Sequence, residues 1–193
     1  MQLTKHIKPK EQKAIQEAQS LLSQNNANAA MEVLANYTKK YKHSQHTMYL
    51  MSLCHAMSGE LNEALKLASN LVSKYAVNIE HLKLLGGIYH NLRKYVQAIS
   101  TFERALKINK NDFQALSNIA NSLKESYRYD EAEACYKQSL AIQPNQPDAL
   151  TNYGLLMQVN ARIDSAIDLH RRALQYAPQH SNALYNLAYA LLE

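Results

Sequence analysis

The chain has 193 residues, 47% apolar and 19% charged, with 4 glycines, 4 prolines and a net charge of +5. So few breakers exclude a disordered or turn-rich chain and make helix the economical reading, while the mild basic excess, without a dense basic stripe interleaved with aromatics, points away from nucleic acid. Two cysteines, Cys54 and Cys135, without metal-ligand spacing read as reduced, packed thiols, and the lack of any apolar run long enough for a membrane span or signal peptide gives a cytoplasmic expectation.

A pattern of small, large and polar residues recurs every 34 positions, most plainly where FQALSNIANSLKESYRYDEAEACYKQSLAIQPNQ (113–146) is followed by PDALTNYGLLMQVNARIDSAIDLHRRALQYAPQH (147–180). Ala132 and Ala166 stand in register, as do Tyr136 and His170, Leu140 and Leu174, and Pro144 and Pro178. Such an array grows by adding neighbours around no single central core, and residues 11–193 are read as one domain.

Residues 1–10 form a basic lead-in whose Pro9 suits a first helical turn. In the first repeat, 11–44, Ala18 and Ala30 take the close-packing positions, and the polar Gln12, Gln16 and Gln19 suit an end cap. Its second helix is expected to finish in KKYKH (39–43), where cations favour the helix dipole. The second repeat, 45–78, places Gly59 at the turn between its helices and Ala64 at their crossing. Its first helix carries Met48, Tyr49, Leu50, Met51, Leu53 and Met57 and keeps almost no polar face. Either these side chains form an adaptable binding surface, with Tyr49, Leu53 and Met57 as contact residues, or neighbouring helices cover them.

The third repeat, 79–112, puts Leu82, Leu85, Gly86, Tyr89, Ala98, Phe102 and Ala105 at the large and small signature positions, and on these residues the chain over 11–193 resembles the tetratricopeptide repeat family. Departures are local: Leu82 where that family has Trp, and Lys110 where it has a terminal Pro. The resemblance implies an all-α, right-handed superhelical solenoid of antiparallel helix pairs. The fourth repeat, 113–146, and the fifth, 147–180, close with Pro144 and Pro178, which stop their second helices. Residues 181–193 begin a sixth repeat with one helix that is apolar nearly all round. The expectation is that the chain continues into a longer protein or that another molecule, such as a second copy, covers this end.

No nucleophile, base and orienter come together in the sequence, and no cofactor or metal is implied. His46 and His55, like His81 and His90, are nine residues apart, not the three or four of a helical metal pair. Gly86-Gly87 lies inside a helical pattern and is read as a packing feature. What stands above background is a ladder: Asn118, Asn152 and Asn186 share the sixth position of three successive first helices, although Asn is a poor helix former. This register resembles the asparagine ladder of the protein O-linked N-acetylglucosamine transferases. That resemblance implies that these residues, with Asn121, hold the backbone of an extended polypeptide. A carboxamide offers a donor and an acceptor, matching one peptide group whatever its side chain. Tyr185 and Tyr189 are candidate additional contacts. The alternative is that the asparagines bond between adjacent helices and only fix the scaffold.

A chaperone-tail clamp of the kind found in some tetratricopeptide co-chaperones is rejected. Lys83 and Asn118 fit it, but Gly87 replaces its first Asn, and Asp148 and Asn152 replace its cations. The expected function is a non-catalytic scaffold for a protein or extended peptide, with neither nucleic acid nor membrane as partner. The alternative is the substrate-docking arm of a larger enzyme, a glycosyltransferase or a sulfotransferase, whose catalytic domain lies beyond residue 193.

Overall fold

The computed structural model describes residues 9–192; the lysines of the lead-in before Pro9 lie outside the described residues. Eleven α-helices and no strand occur among the described residues: α1 (Pro9–Ser23), α2 (Ala27–Thr38), α3 (Gln45–Met57), α4 (Leu61–Lys74), α5 (Ile79–Asn91), α6 (Tyr95–Ile108), α7 (Phe113–Glu125), α8 (Tyr129–Ile142), α9 (Pro147–Val159), α10 (Ile163–Tyr176) and α11 (Ser181–Ala190). They fall in two compact units, one ending at Arg93 and one beginning at Lys94. The first unit holds α1 to α5 and the second α6 to α11.

Three features recur at the 34-residue interval and explain why the chain turns where it does. The turn between the two helices of a repeat uses one residue with positive φ: Asn25 (58°), Gly59 (80°), Arg93 (57°), Tyr127 (63°) and Ala161 (56°). The residue after it donates its N–H to a carbonyl five residues back, Asn26 to Leu21 at 2.9 Å, Glu60 to His55 at 2.8 Å, Arg128 to Leu123 at 2.9 Å and Arg162 to Met157 at 2.8 Å. This closure satisfies carbonyls that the helix end leaves free. Only Gly59 and Asn25 suit the left-handed region; Arg93, Tyr127 and Ala161 sit there at a cost of about 1–2 kcal/mol each.

The turn between repeats carries the second feature, an N-cap. Ser44, Asn78, Asp112 and His180 each accept from the backbone N–H three residues on, at 3.2, 3.2, 2.8 and 3.2 Å. Each cap contributes about 1 kcal/mol. At the fifth such position Gln146 turns inward. Its Nε2 donates to the carbonyls of Ser139 (3.0 Å) and Gln143 (2.6 Å), and its Oε1 accepts from Ser117 at 2.9 Å. Pro147 then opens α9 without a side-chain cap, a position where its missing N–H costs nothing.

The third feature is a fully buried alanine in the second helix of each repeat, Ala30, Ala64, Ala98, Ala132 and Ala166, all at 0% exposure; where both helices of the repeat lie in one unit, it stands on the helix that packs against its partner. Within each unit every helix packs on the next. The first helices also touch one another, α1 with α3, α3 with α5, α7 with α9 and α9 with α11. Among the described residues no second helix touches another second helix of its unit. The first helices therefore form the inner row of each unit.

Two expectations change. Helix α2 ends at Thr38 with Lys39 as its cap, so the run 39–43 lies beyond the helix as an exposed turn. Tyr41 stacks on Tyr37, with ring centroids 4.8 Å apart, and its N–H still reaches the Tyr37 carbonyl at 3.1 Å before the chain leaves the helical path. Packing accounts for Gly86, which is buried, but not for Gly87: a methyl group there would meet nothing within 4 Å. The end-cap glutamines Gln12, Gln16 and Gln19 are all exposed.

The core of the second unit holds an unusual pair. His170 is fully buried, and neither ring nitrogen has a hydrogen-bond partner. It faces Gly154, where an added Cβ would fall 2.5–2.9 Å from three imidazole atoms. Burial pushes the His170 pKa down. His81, in the first unit, is 3% exposed and is likewise lowered, first by burial and then by His46, with Glu80 opposing.

These placements have measurable consequences. Gly87→Ala adds helix propensity with no clash, so denaturant unfolding should show a gain of about 1 kcal/mol. Both histidines have folded pKa values below the ordinary 6.5, so the unfolded state takes up their protons first. Stability is then full above about pH 7 and falls as pH is lowered through about 6.5, by up to about 1.4 kcal/mol per pH unit for each imidazole. His170→Leu, which matches Leu34 at the same register of the first repeat, should roughly halve that slope; an unchanged slope in pH-dependent unfolding would contradict the assignment.

Candidate functional site

The first helices α7, α9 and α11 share an unburied inner stripe, although α11 is exposed on other sides as well. On α7 it runs through Gln114, Asn118, Asn121 and Glu125; on α9 through Asp148, Asn152, Leu155 and Val159; on α11 through Asn182, Asn186 and Tyr189. The helical period creates the stripe, because Ala115, Leu116, Ile119, Ala120 and Leu123 between those positions are buried. Asn118, Asn152 and Asn186 are half-buried, and their side chains hydrogen-bond to no described residue. The alternative role, bonding between adjacent helices, is therefore not the arrangement found.

Asn121 differs from the other three. Its Oδ1 accepts from the hydroxyl of Tyr136, a fully buried ring on α8, so its carbonyl is committed to the scaffold and only its N–H₂ group remains to offer. Tyr136 stacks on Tyr153 at 5.4 Å, and the Tyr153 hydroxyl donates to Glu133 at 3.1 Å. Lys137 at 2.7 Å and Arg162 at 2.9 Å also bind Glu133, and these partners, Lys137 foremost, hold its carboxyl below the usual carboxylate range. These bonds fix α8 against α9 beneath the ladder.

Tyr185 and Tyr189 project from α11 at 73% and 53% exposure. Ser117 and Thr151, at the register of Tyr185 in the two preceding repeats, are buried. The residues proposed in the second repeat belong to the other unit. The apolar face of α3 divides: Met48 and Leu50 are buried, Tyr49 and Met51 pack against a core of Ile15, Leu34 and Cys54, Leu53 is half-buried, and Met57 is 43% exposed. Neighbouring helices thus cover most of the face and leave its C-terminal end open.

That unit also contains a cleft of about 210 Å³, of whose lining the sequence singles out only Tyr49 as a contact residue. Ile15, Tyr49, Leu50 and His81 line it with Gln19 and His46. The Tyr49 and His81 ring centroids are 6.0 Å apart, and Tyr75 meets His81 edge-on at 5.8 Å. A signal was available at the third position of the repeat: Ala115, Ala149 and Ala183 are small and buried there, and His81 is large. Burial pushes the Cys54 thiol up to about 11 and the Cys135 thiol up as well, so neither is an activated nucleophile. No group of three or more metal-ligating side chains occurs among the described residues, and no described helix is long and apolar enough to cross a membrane.

The turns, caps and crossing alanines are those of a helix-turn-helix array, and residues 92–153 match the family model described as tetratricopeptide repeat. The chain has the tetratricopeptide-repeat fold. It is similar to TTC0263, a thermophilic tetratricopeptide-repeat protein of Thermus thermophilus, with a TM-score of 0.86 at 21% identity over 94% of this chain and 99% of that one. Cut9–Hcn1 of the APC/C superposes with a TM-score of 0.80 at 18% identity, over 92% of this chain and 36% of that chain. YrrB, a protein of the same fold with an unusual peptide-binding site, gives 0.62 at 20% identity over 89% of each chain. At these identities the likeness is one of fold. No curated protein sequence matches the chain.

Within this fold the Tyr136–Asn121 bond is structural. Tyr136→Phe should lower unfolding stability by about 1 kcal/mol and leave any ligand affinity of the ladder unchanged; loss of affinity in a fully folded variant would move Asn121 from scaffold to site.

Proposed function

We propose that the chain is a non-catalytic scaffold for protein or peptide, and that its second unit holds an extended polypeptide by the backbone through Asn118, Asn152 and Asn186. One observation carries this reading: three half-buried carboxamides at one register, on first helices that touch in sequence, keep their hydrogen-bonding capacity unspent. Each offers a donor and an acceptor, the pair a peptide group needs. Helices packed about 8–10 Å apart present one such group per roughly three residues of a strand rising about 3.3 Å per residue.

The magnitudes suit a weak, sequence-tolerant grip. Three bonds of about 1 kcal/mol net each, set against ordering costs, correspond by themselves to binding no tighter than roughly millimolar. Tyr185 and Tyr189 on α11 supply apolar area beside the ladder; Leu53 and Met57 offer apolar area on the first unit. The peptide-binding site named for YrrB is in keeping with this use of the fold. The likeness to transferase arms rests on register alone, and the scaffold reading does not depend on a catalytic domain.

The test is binding of a mixed-sequence, extended peptide library to the chain and to a variant with Asn118→Ala, Asn152→Ala and Asn186→Ala, after circular dichroism shows equal helicity. Affinity should drop by about tenfold or more in the folded variant. Equal binding by both proteins would show that the asparagines are scaffold.

A further inference from the structure

The first unit carries a feature that the ladder does not use, the cleft between α1, α3 and α5. At about 210 Å³ it is smaller than the roughly 300–1,000 Å³ of an ordinary small-molecule site and of a size for one large side chain. Most of the surface it exposes is apolar, although its lining joins Ile15, Tyr49 and Leu50 to the polar Gln19, Gln45 and Asn78, and its aromatic wall is the tilted pair Tyr49–His81. Its one carboxylate, Glu80, is matched by Lys83 Nζ at 2.9 Å, and burial keeps His81 from charging at neutral pH. The complement of such a cleft is uncharged and flat. Rings prefer tilted or offset contacts with centroids about 4.5–7 Å apart, worth more than their area alone.

We infer that this cleft is a recognition pocket for a single aromatic side chain, Phe or Trp, presented by a partner polypeptide. The inference rests on the peptide-binding reading in its general form and not on the asparagine ladder, which belongs to the other unit. His81 supplies a second, independent mark of a site. Only 3% of its surface is exposed, its Nδ1 has no hydrogen-bond partner, and it replaces the alanine that fills the same register at Ala115, Ala149 and Ala183. A fold that needs only a small residue at that position instead carries a ring, and that ring lines the cleft.

The chain contains no Trp, so a Trp in a peptide reports its own burial without interference. The experiment titrates the full chain into a neutral, polar peptide of about 13 residues, long enough to cross the inner row as a strand, with one central Trp, then competes it with peptides carrying Phe, Leu or Ala at that place. A saturable blue shift of the Trp emission is expected, with the Phe peptide competing about tenfold better than the Ala peptide. Gln19→Phe, at an exposed position of α1 that lines the cleft, should plug it and abolish that preference. Gln12→Phe, exposed on the same helix but outside the lining, should leave it intact. The triple Asn→Ala variant should keep the Phe-over-Ala ratio even where overall affinity falls. A preference that survives Gln19→Phe, or the absence of any blue shift, overturns the pocket. Calorimetric binding of the Ala peptide in that case would leave the general peptide-binding reading standing, and its failure there would remove both.

Discussion

Everything in this array depends on how closely two helices of one repeat can approach. Ala30, Ala64, Ala132 and Ala166 have no exposed surface, and each lies on a second helix packed against the first helix of its own repeat. Ridge-into-groove packing at about 8–10 Å leaves no room for a longer side chain, and overpacking such a point costs roughly 1–3 kcal/mol. Bulk is placed four residues later instead, where Leu34, Phe102, Tyr136 and His170 are each buried. The exchange is local: where that residue is His170, its neighbour on α9 is reduced to Gly154, whose missing Cβ makes the space the imidazole occupies.

Close approach of the second helices also determines where a site can be. Within each unit the first helices touch along an inner row, and α7 and α9 each leave one stripe of it unburied. The two units fill that stripe differently. In the second it carries Asn118, Asn152, Asn186 and Tyr189; the first unit has instead the cleft walled by His81 and Tyr49. A carboxamide recognises what all peptides share, and an aromatic pocket recognises what one residue adds. On the reading proposed above, one scaffold would offer affinity without sequence in one unit and selectivity without much affinity in the other.

The repeat, its crossing alanines and the turn at Gly59 were legible because each depends on residue size at a fixed interval. The other turns were less so. Arg93, Tyr127 and Ala161 adopt positive φ against their own preference, held there by the closure of the preceding helix, and only the 34-residue register betrays them. The tail of α2 departs from expectation: cations suit a helix end, yet the helix closes at Thr38, just before the run of cations. The cleft escaped sequence reading for a different reason. Ile15 and Tyr49 stand at one register of successive repeats, and His81 enters from another, so three helices must assemble before the space exists.

The same chemistry separates scaffold from site within a single turn of helix. Ser117 is buried and its hydroxyl is shared with Ser139 at 2.7 Å and Gln146 at 2.9 Å; the group is satisfied internally, and its removal would leave partners stranded at about 1–3 kcal/mol each. Asn118, the next residue, is half-buried with its side chain bonded to no described residue. Asn121, three further on, has given its carbonyl to Tyr136. Residue type alone does not distinguish these roles, since Asn118 and Asn121 are the same amino acid on the same stripe. What distinguishes them is whether the hydrogen-bonding capacity has been spent by the fold, and a surface that reads backbone must be built from the groups on which it has not.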